Sequence, residues 1–83
     1  MNTAELKGER VRQSKDTQYM ADLIGKTTDA YAKKERGEVK FAPDEMAVIA
    51  NDLGFDSEKF NAIFFDGKLP FSKNEQKIAG TVI

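Results

Sequence analysis

The 83-residue chain contains no cysteine and no histidine. Without cysteine it has no disulfide, no thiolate zinc ligand and no cysteine nucleophile, which fits a reducing compartment such as the cytosol. Without histidine it lacks the usual general base near neutral pH and the commonest metal ligand. We therefore expect that the protein is not an enzyme and that it uses no metal and no cofactor.

The chain also lacks a long hydrophobic run. A membrane-spanning helix needs about 20 consecutive apolar residues, and residues 1–15 alternate charged and apolar side chains, unlike a signal peptide. We therefore expect a soluble, cytoplasmic protein with no membrane partner. The net charge is only −1, but residues 1–40 carry nine Lys/Arg against seven Asp/Glu, while residues 41–83 carry four against seven. Attraction to nucleic-acid phosphate is thus expected only in the N-terminal half.

Apolar spacing and capping residues predict an all-α protein of five short helices. The expected helices cover residues 3–14, 17–24, 28–34, 43–53 and 58–65. The second begins at a cap formed by Asp16 or Thr17, the third at a cap formed by Thr27 or Thr28, and the fifth at Ser57. On the first helix Leu6, Arg10 and Val11 are expected to face inward, and Met20, Ile24 and Tyr31 are expected to fill the space between helices.

A single glycine, Gly25, separates the second and third helices. A connection this short forces the two helices to cross steeply and to pack against each other, which is the geometry of a helix-turn-helix unit. Gly25 is suited to the left-handed backbone conformation that ends a helix. Ala21 has the small side chain that such a close helix crossing requires.

These residues belong to a spaced set that resembles a known family. Gly25 follows Ala21 by four residues, Tyr31 comes six residues later, and the sequences Glu35-Arg36-Gly37 and IANDLGF (49–55) complete the set. The chain resembles the Cro/C1-type (xenobiotic-response-element-like) helix-turn-helix family, the DNA-binding domain of phage repressors, over residues 4–65. The resemblance implies a five-helix lambda-repressor-like domain at residues 1–67, followed by a C-terminal tail, residues 68–83, that we expect to be flexible.

Arg10 is the one charged residue among the inward-facing positions of the first helix, so it needs a carboxylate partner. The resemblance implies that this partner is Glu35, the glutamate that follows the third helix. The alternative is that both are unrelated surface charges. Lys34 occupies a position that is often apolar, so we expect its methylene chain to pack while its ammonium reaches water or DNA.

The resemblance also implies that the third helix enters the major groove of DNA. The expected base-facing residues are Thr28, Asp29, Ala32 and Lys33. Lys33 can donate to guanine, whereas Asp29 either accepts from a cytosine amine or only serves the positive end of the helix. The expected phosphate contacts come from Thr17, Gln18, Lys26, Thr27, Arg36 and Lys40. The family usually has a phosphate-binding glutamine four residues before the small alanine. In this chain that position is Thr17 and Gln18 follows it, so the phosphate role stays open between the two.

Besides double-stranded operator DNA, a second copy of the chain is an expected partner, and another protein is one alternative. By analogy with the family, the protein forms a homodimer, at least on DNA. An apolar cluster near the C-terminus exceeds what one short helix needs; it consists of Phe60, Ile63, Phe64, Phe65, Leu69 and Phe71. It forms either a dimer or protein-binding surface, or the segment FFDGKLPF folds back over the domain.

The sequence therefore predicts a sequence-specific DNA-binding transcriptional regulator, a repressor of phage, prophage or bacterial type acting in the bacterial cytoplasm or nucleoid. One alternative keeps DNA binding but makes the protein an antitoxin whose tail holds a toxin. The other is a protein-binding adaptor that has the helix-turn-helix fold without DNA affinity.

Overall fold

Five helices account for most of residues 1–68, which are the residues that the computed structural model describes. They are α1 (Thr3–Arg12), α2 (Thr17–Ile24), α3 (Thr28–Glu35), α4 (Pro43–Leu53) and α5 (Ser57–Phe65). These residues contain no β-strand, so the predicted all-α class with five helices is confirmed. None of the five helices is both long and apolar enough to cross a membrane. The predictions for residues 69–83, including Leu69 and Phe71, lie outside the described residues.

Side-chain caps set where the helices begin. Asp16 caps α2 by accepting from the Tyr19 amide at 2.8 Å, and Thr27 caps α3 by accepting from the Ala30 amide at 3.1 Å. The prediction that Ser57 caps α5 is wrong. Asp56 does so at 2.8 Å from the Lys59 amide, because its carboxylate lies at the position from which a side chain reaches the third helical residue.

The turn between α2 and α3 depends on Gly25. Its φ of 69° is left-handed, and the next residue, Lys26, donates its amide to the Ala21 carbonyl at 2.9 Å. This pattern closes the last turn of α2 and lets α3 begin three residues after the glycine. Ala21 is fully buried, and α2 packs against both α3 and α4.

One core joins all five helices. Its buried apolar residues are Leu6, Met20, Ala21, Tyr31, Phe41, Ile49, Leu53, Ile63 and Phe64. Ile24 is only partly buried. Of the apolar cluster predicted near the C-terminus, Ile63 and Phe64 are core residues and Phe60 and Phe65 pack partly buried against them.

Phe41 is a core residue although it lies in the connection between α3 and α4. It is 5% exposed, and its ring centroid lies 5.9 Å from that of Tyr31 and 5.7 Å from that of Phe64. It thereby joins α3 to α5. The only signal in the sequence is a single aromatic residue in an otherwise polar connection, and helical periodicity does not apply to such a residue.

The predicted inward orientation of Val11 is wrong, because its side chain is 55% exposed. Leu6, Glu9 and Arg10 are the buried residues of α1. Five residues separate Val11 from Leu6, so its side chain is rotated about 140° from the buried side of the helix. The helix also ends at Arg12, earlier than predicted, since Ser14 takes a left-handed φ of 59°.

Candidate nucleic-acid interface

A buried ionic network holds the inner side of α3. Arg10 Nε donates to Glu35 Oε2 at 2.7 Å and Arg10 Nη2 donates to Glu35 Oε1 at 3.2 Å. A third donor, Arg10 Nη1, bonds the Lys15 carbonyl at 2.9 Å. The Tyr31 hydroxyl donates to the same carboxylate at 2.9 Å. This network ties α1 and the residues before α2 to the last turn of α3.

The charges in this network perturb each other. The hydrogen bonds from Arg10 to Glu35 raise the pKa of the Arg10 guanidinium despite its burial, and burial raises the pKa of the Tyr31 phenol. Both side chains of the ion pair are about nine-tenths buried. A buried pair of this kind is costly to break, because each charge alone is poorly solvated.

Lys34 does not place its ammonium in water or on DNA, contrary to the sequence-based expectation. Its Nζ donates to Glu45 Oε1 at 2.6 Å, and the Lys34 side chain is only 12% exposed. Burial opposes ionisation of Glu45, but hydrogen bonds from Lys34 and from the Ala42 amide, at 2.9 Å, outweigh it and lower the pKa of Glu45. The carboxylate at the start of α4 thus fixes a second point on α3.

The opposite side of α3 carries two of the four predicted base-facing residues, and the other two lie between the buried and the exposed sides. Asp29 and Lys33 are highly exposed and form an ion pair at 3.3 Å between Oδ2 and Nζ. Thr28 and Ala32 are half-buried. Positions 28 and 32, like 29 and 33, are four residues apart and so lie one turn above each other on the same helix side.

The first turn of α2 contacts the first turn of α3. The Thr28 hydroxyl donates to Gln18 Oε1 at 2.8 Å, and Gln18 Nε2 donates to Asp22 Oδ1 at 2.9 Å. Two residues predicted for different roles, Thr28 for bases and Gln18 for phosphate, are therefore directly bonded.

A groove of about 560 Å³ runs between α1, the start of α2 and the C-terminal end of α3, beside the pair formed by Arg10 and Glu35. Three of the predicted DNA-contacting residues line it: Thr17, Ala32 and Arg36. Lys7 of α1 also lines it. Lys7 is not among the predicted contacts, although its position three residues before Arg10 places it beside the residue that anchors α3.

The remaining predicted phosphate contacts are more scattered. Thr27 is the cap of α3, and its hydroxyl oxygen already accepts a backbone amide. Arg36 Nε donates to Glu38 Oε2 at 2.6 Å, with both side chains more than half exposed. Lys26 is exposed in the turn before α3. Lys40 lines a separate groove of about 410 Å³ with apolar residues such as Phe41 and Phe65.

Residues 1–68 contain no group of three or more acidic, cysteine or histidine side chains able to hold a metal ion. No protein-family model matches the chain, and comparisons with curated proteins and with solved structures give no match.

Proposed function

We propose that residues 1–67 form a lambda-repressor-like, Cro/C1-type helix-turn-helix domain that binds a specific operator in duplex DNA. The observation that carries this proposal is the two-sided environment of α3. Its inner side is held by Arg10 and by Glu45 through buried charge pairs, while its outer side presents Asp29 and Lys33 to solvent. A short helix that is held on its inner side and exposed on its outer side is suited to insertion into the major groove.

In the proposed complex, Lys33 donates to a guanine edge and Lys26 contacts phosphate. The groove lined by Lys7, Thr17 and Arg36 accommodates the neighbouring DNA backbone. The protein acts as a repressor of phage or bacterial type by occupying its operator. Because one domain makes few contacts, it binds as a homodimer on two half-sites.

Selection of bound sequences from random duplex DNA tests the proposal. We expect enrichment of a two-fold symmetric sequence whose affinity falls steeply with salt, by about 0.9 in the slope of log affinity against log salt for each phosphate neutralised. Absence of binding at low salt would remove DNA as the partner.

Two lysine variants separate base reading from phosphate binding. Lys33→Ala should weaken binding to the selected operator by about 1–3 kcal/mol and affect other duplexes little. Lys26→Ala should weaken binding to all duplexes alike and lower the salt slope by about one unit. Indistinguishable losses for the two variants on specific and random duplexes would contradict the placement of α3 in the major groove.

A protein-binding adaptor that has the helix-turn-helix fold without DNA affinity is the second candidate. Carboxylates on the surface proposed to bind DNA favour this alternative. Asp29 pairs with Lys33, and Glu38 pairs with Arg36. These pairs reduce the positive potential that DNA requires. Tight binding of a protein partner by a chain that binds no duplex would establish this alternative.

A further inference from the structure

The contact between Gln18 and Thr28 has a fixed polarity. Asp22 carries a carboxylate, which only accepts hydrogen bonds, so the Gln18 amide must present its nitrogen to Asp22 Oδ1, at 2.9 Å. The Gln18 amide oxygen then points away from Asp22 and lies 2.8 Å from the Thr28 hydroxyl oxygen. Rotating the amide by half a turn would bring two acceptor oxygens together at Asp22.

The Thr28 hydroxyl consequently donates its proton to the Gln18 amide oxygen and not to a ligand. An amide oxygen has no proton to give, so the hydroxyl must be the donor in this hydrogen bond. What Thr28 has left for a ligand is the lone pairs of its oxygen and its methyl group. Thr28 is thus an acceptor, and its polarity is set through two hydrogen bonds, from Thr28 to Gln18 and from Gln18 to Asp22.

We propose that Gln18 makes Thr28 a selective acceptor, so that the base opposite Thr28 is one that presents an exocyclic amine in the major groove. This inference rests on the proposed DNA binding and deepens it. Adenine N6 and cytosine N4 are donors, whereas guanine O6 and thymine O4 are acceptors that would face the Thr28 oxygen without a proton between them. Gln18 is thus a positioning residue for base selection.

This assignment differs from a phosphate contact by Gln18 in what it predicts. A phosphate contact changes affinity for all sequences by the same factor. Control of the Thr28 proton changes the preference at one base position per half-site and leaves the other positions as they were. Asp29, the next residue, is a carboxylate and cannot supply the missing proton.

The test compares base preferences of four proteins on duplexes selected by the unmodified chain. At one position per half-site the unmodified chain should favour adenine or cytosine over guanine or thymine by about tenfold. Thr28→Val keeps the shape and the methyl group but removes the acceptor, and it should abolish this preference. Gln18→Met keeps the length but frees the Thr28 proton, and it should reduce the preference at the same position to about threefold or less.

Tyr19→Phe is the matched control. It removes another exposed hydrogen bond of α2, from the Tyr19 hydroxyl to the Asp52 carboxylate at 2.9 and 3.0 Å, and should leave every base preference unchanged. Melting temperatures of all variants check that each is folded.

Three results would overturn the inference. If Gln18→Met lowers affinity for all duplexes by one factor and leaves the preferences intact, Gln18 is a phosphate contact only. If the position affected by Thr28→Val favours guanine or thymine, the assigned polarity is wrong. Either of these two results would leave the proposed DNA binding intact. The third result, no binding to any duplex at low salt, would overturn both the inference and the proposed DNA binding.

Discussion

The two sides of α3 differ in how their charges are held. On the inner side, the side chains of Arg10 and Glu35 are 10% and 9% exposed. On the outer side, those of Lys33 and Asp29 are 48% and 76% exposed. A buried charge whose partner is removed stays poorly solvated, whereas an exposed charge is solvated by water at little cost. The inner pair therefore fixes the position of α3, and the outer pair is free to exchange its partner for a ligand.

The largest effect is expected from breaking the inner pair. Arg10→Met leaves the Glu35 carboxylate buried with only the Tyr31 hydroxyl as a donor, and should lower the free energy of unfolding by about 3–5 kcal/mol. Arg36→Met is the matched control. It removes an ion pair with Glu38 in which both side chains are more than half exposed, and should change stability by no more than about 0.5 kcal/mol. Equal urea midpoints for the two variants would show that burial does not distinguish the pairs.

Adjacent lysines sharpen the same comparison. Lys34→Met removes a donor from the buried Glu45, which keeps the Ala42 amide, and should cost about 1–3 kcal/mol of unfolding free energy. Lys33→Met removes the exposed ion pair with Asp29, which lies one helical turn away. This change should lower the free energy of unfolding by no more than about 0.5 kcal/mol. Thermal unfolding of both variants measures the difference. A larger loss for Lys33→Met would reverse the assignment of the inner and outer sides.

A smaller effect is expected at Glu9, which joins α1 to α5. Hydrogen bonds from Lys59 and Arg12 lower the pKa of Glu9 from 4.5 to about 2. Because the folded pKa is the lower one, this stabilisation is present above pH 4.5 and is lost as the pH falls toward 2. Glu9→Gln should be less stable than the unmodified chain at pH 7, with a difference that shrinks at pH 3.

Glu5→Gln is the control for that titration. The Glu5 carboxylate lies 3.3 Å from Arg12 but is 41% exposed, so its removal should produce a smaller difference at pH 7. Urea unfolding at pH 7 and pH 3 measures both variants. A constant difference for Glu9→Gln across this range would show that the charge of Glu9 does not contribute.

Local chemistry explains why the helices were predictable from sequence. Pro43 and Gly54 bound α4, and Gly25 ends α2, because each favours a particular backbone conformation whatever surrounds it. Whether Asp56 or Ser57 caps α5 was not predictable, since both residue types are good caps. The backbone conformation at these two residues determines which of them is the last non-helical residue.

The candidate site was less accessible to sequence reasoning. The inward position of Arg10 indicated that it needs a carboxylate partner, but only the resemblance pointed to Glu35. The buried position of Lys34 depends on Glu45 and Phe41, which come from two other segments. The bond between Thr28 and Gln18 likewise depends on how α2 and α3 cross. Contacts of this kind follow from tertiary packing, which residue spacing within one helix does not encode.

DNA binding by the outer side of α3 is a proposal that can be tested on the protein in solution. Backbone amide chemical shifts, recorded while a selected duplex is added to the protein, test it most directly. If this surface binds DNA, the largest changes will fall at the first turns of α2 and α3 and at Lys33, with little change at Val39, Phe41 and Phe65 of the separate apolar groove. Changes confined to that groove, with α3 unaffected, would contradict it.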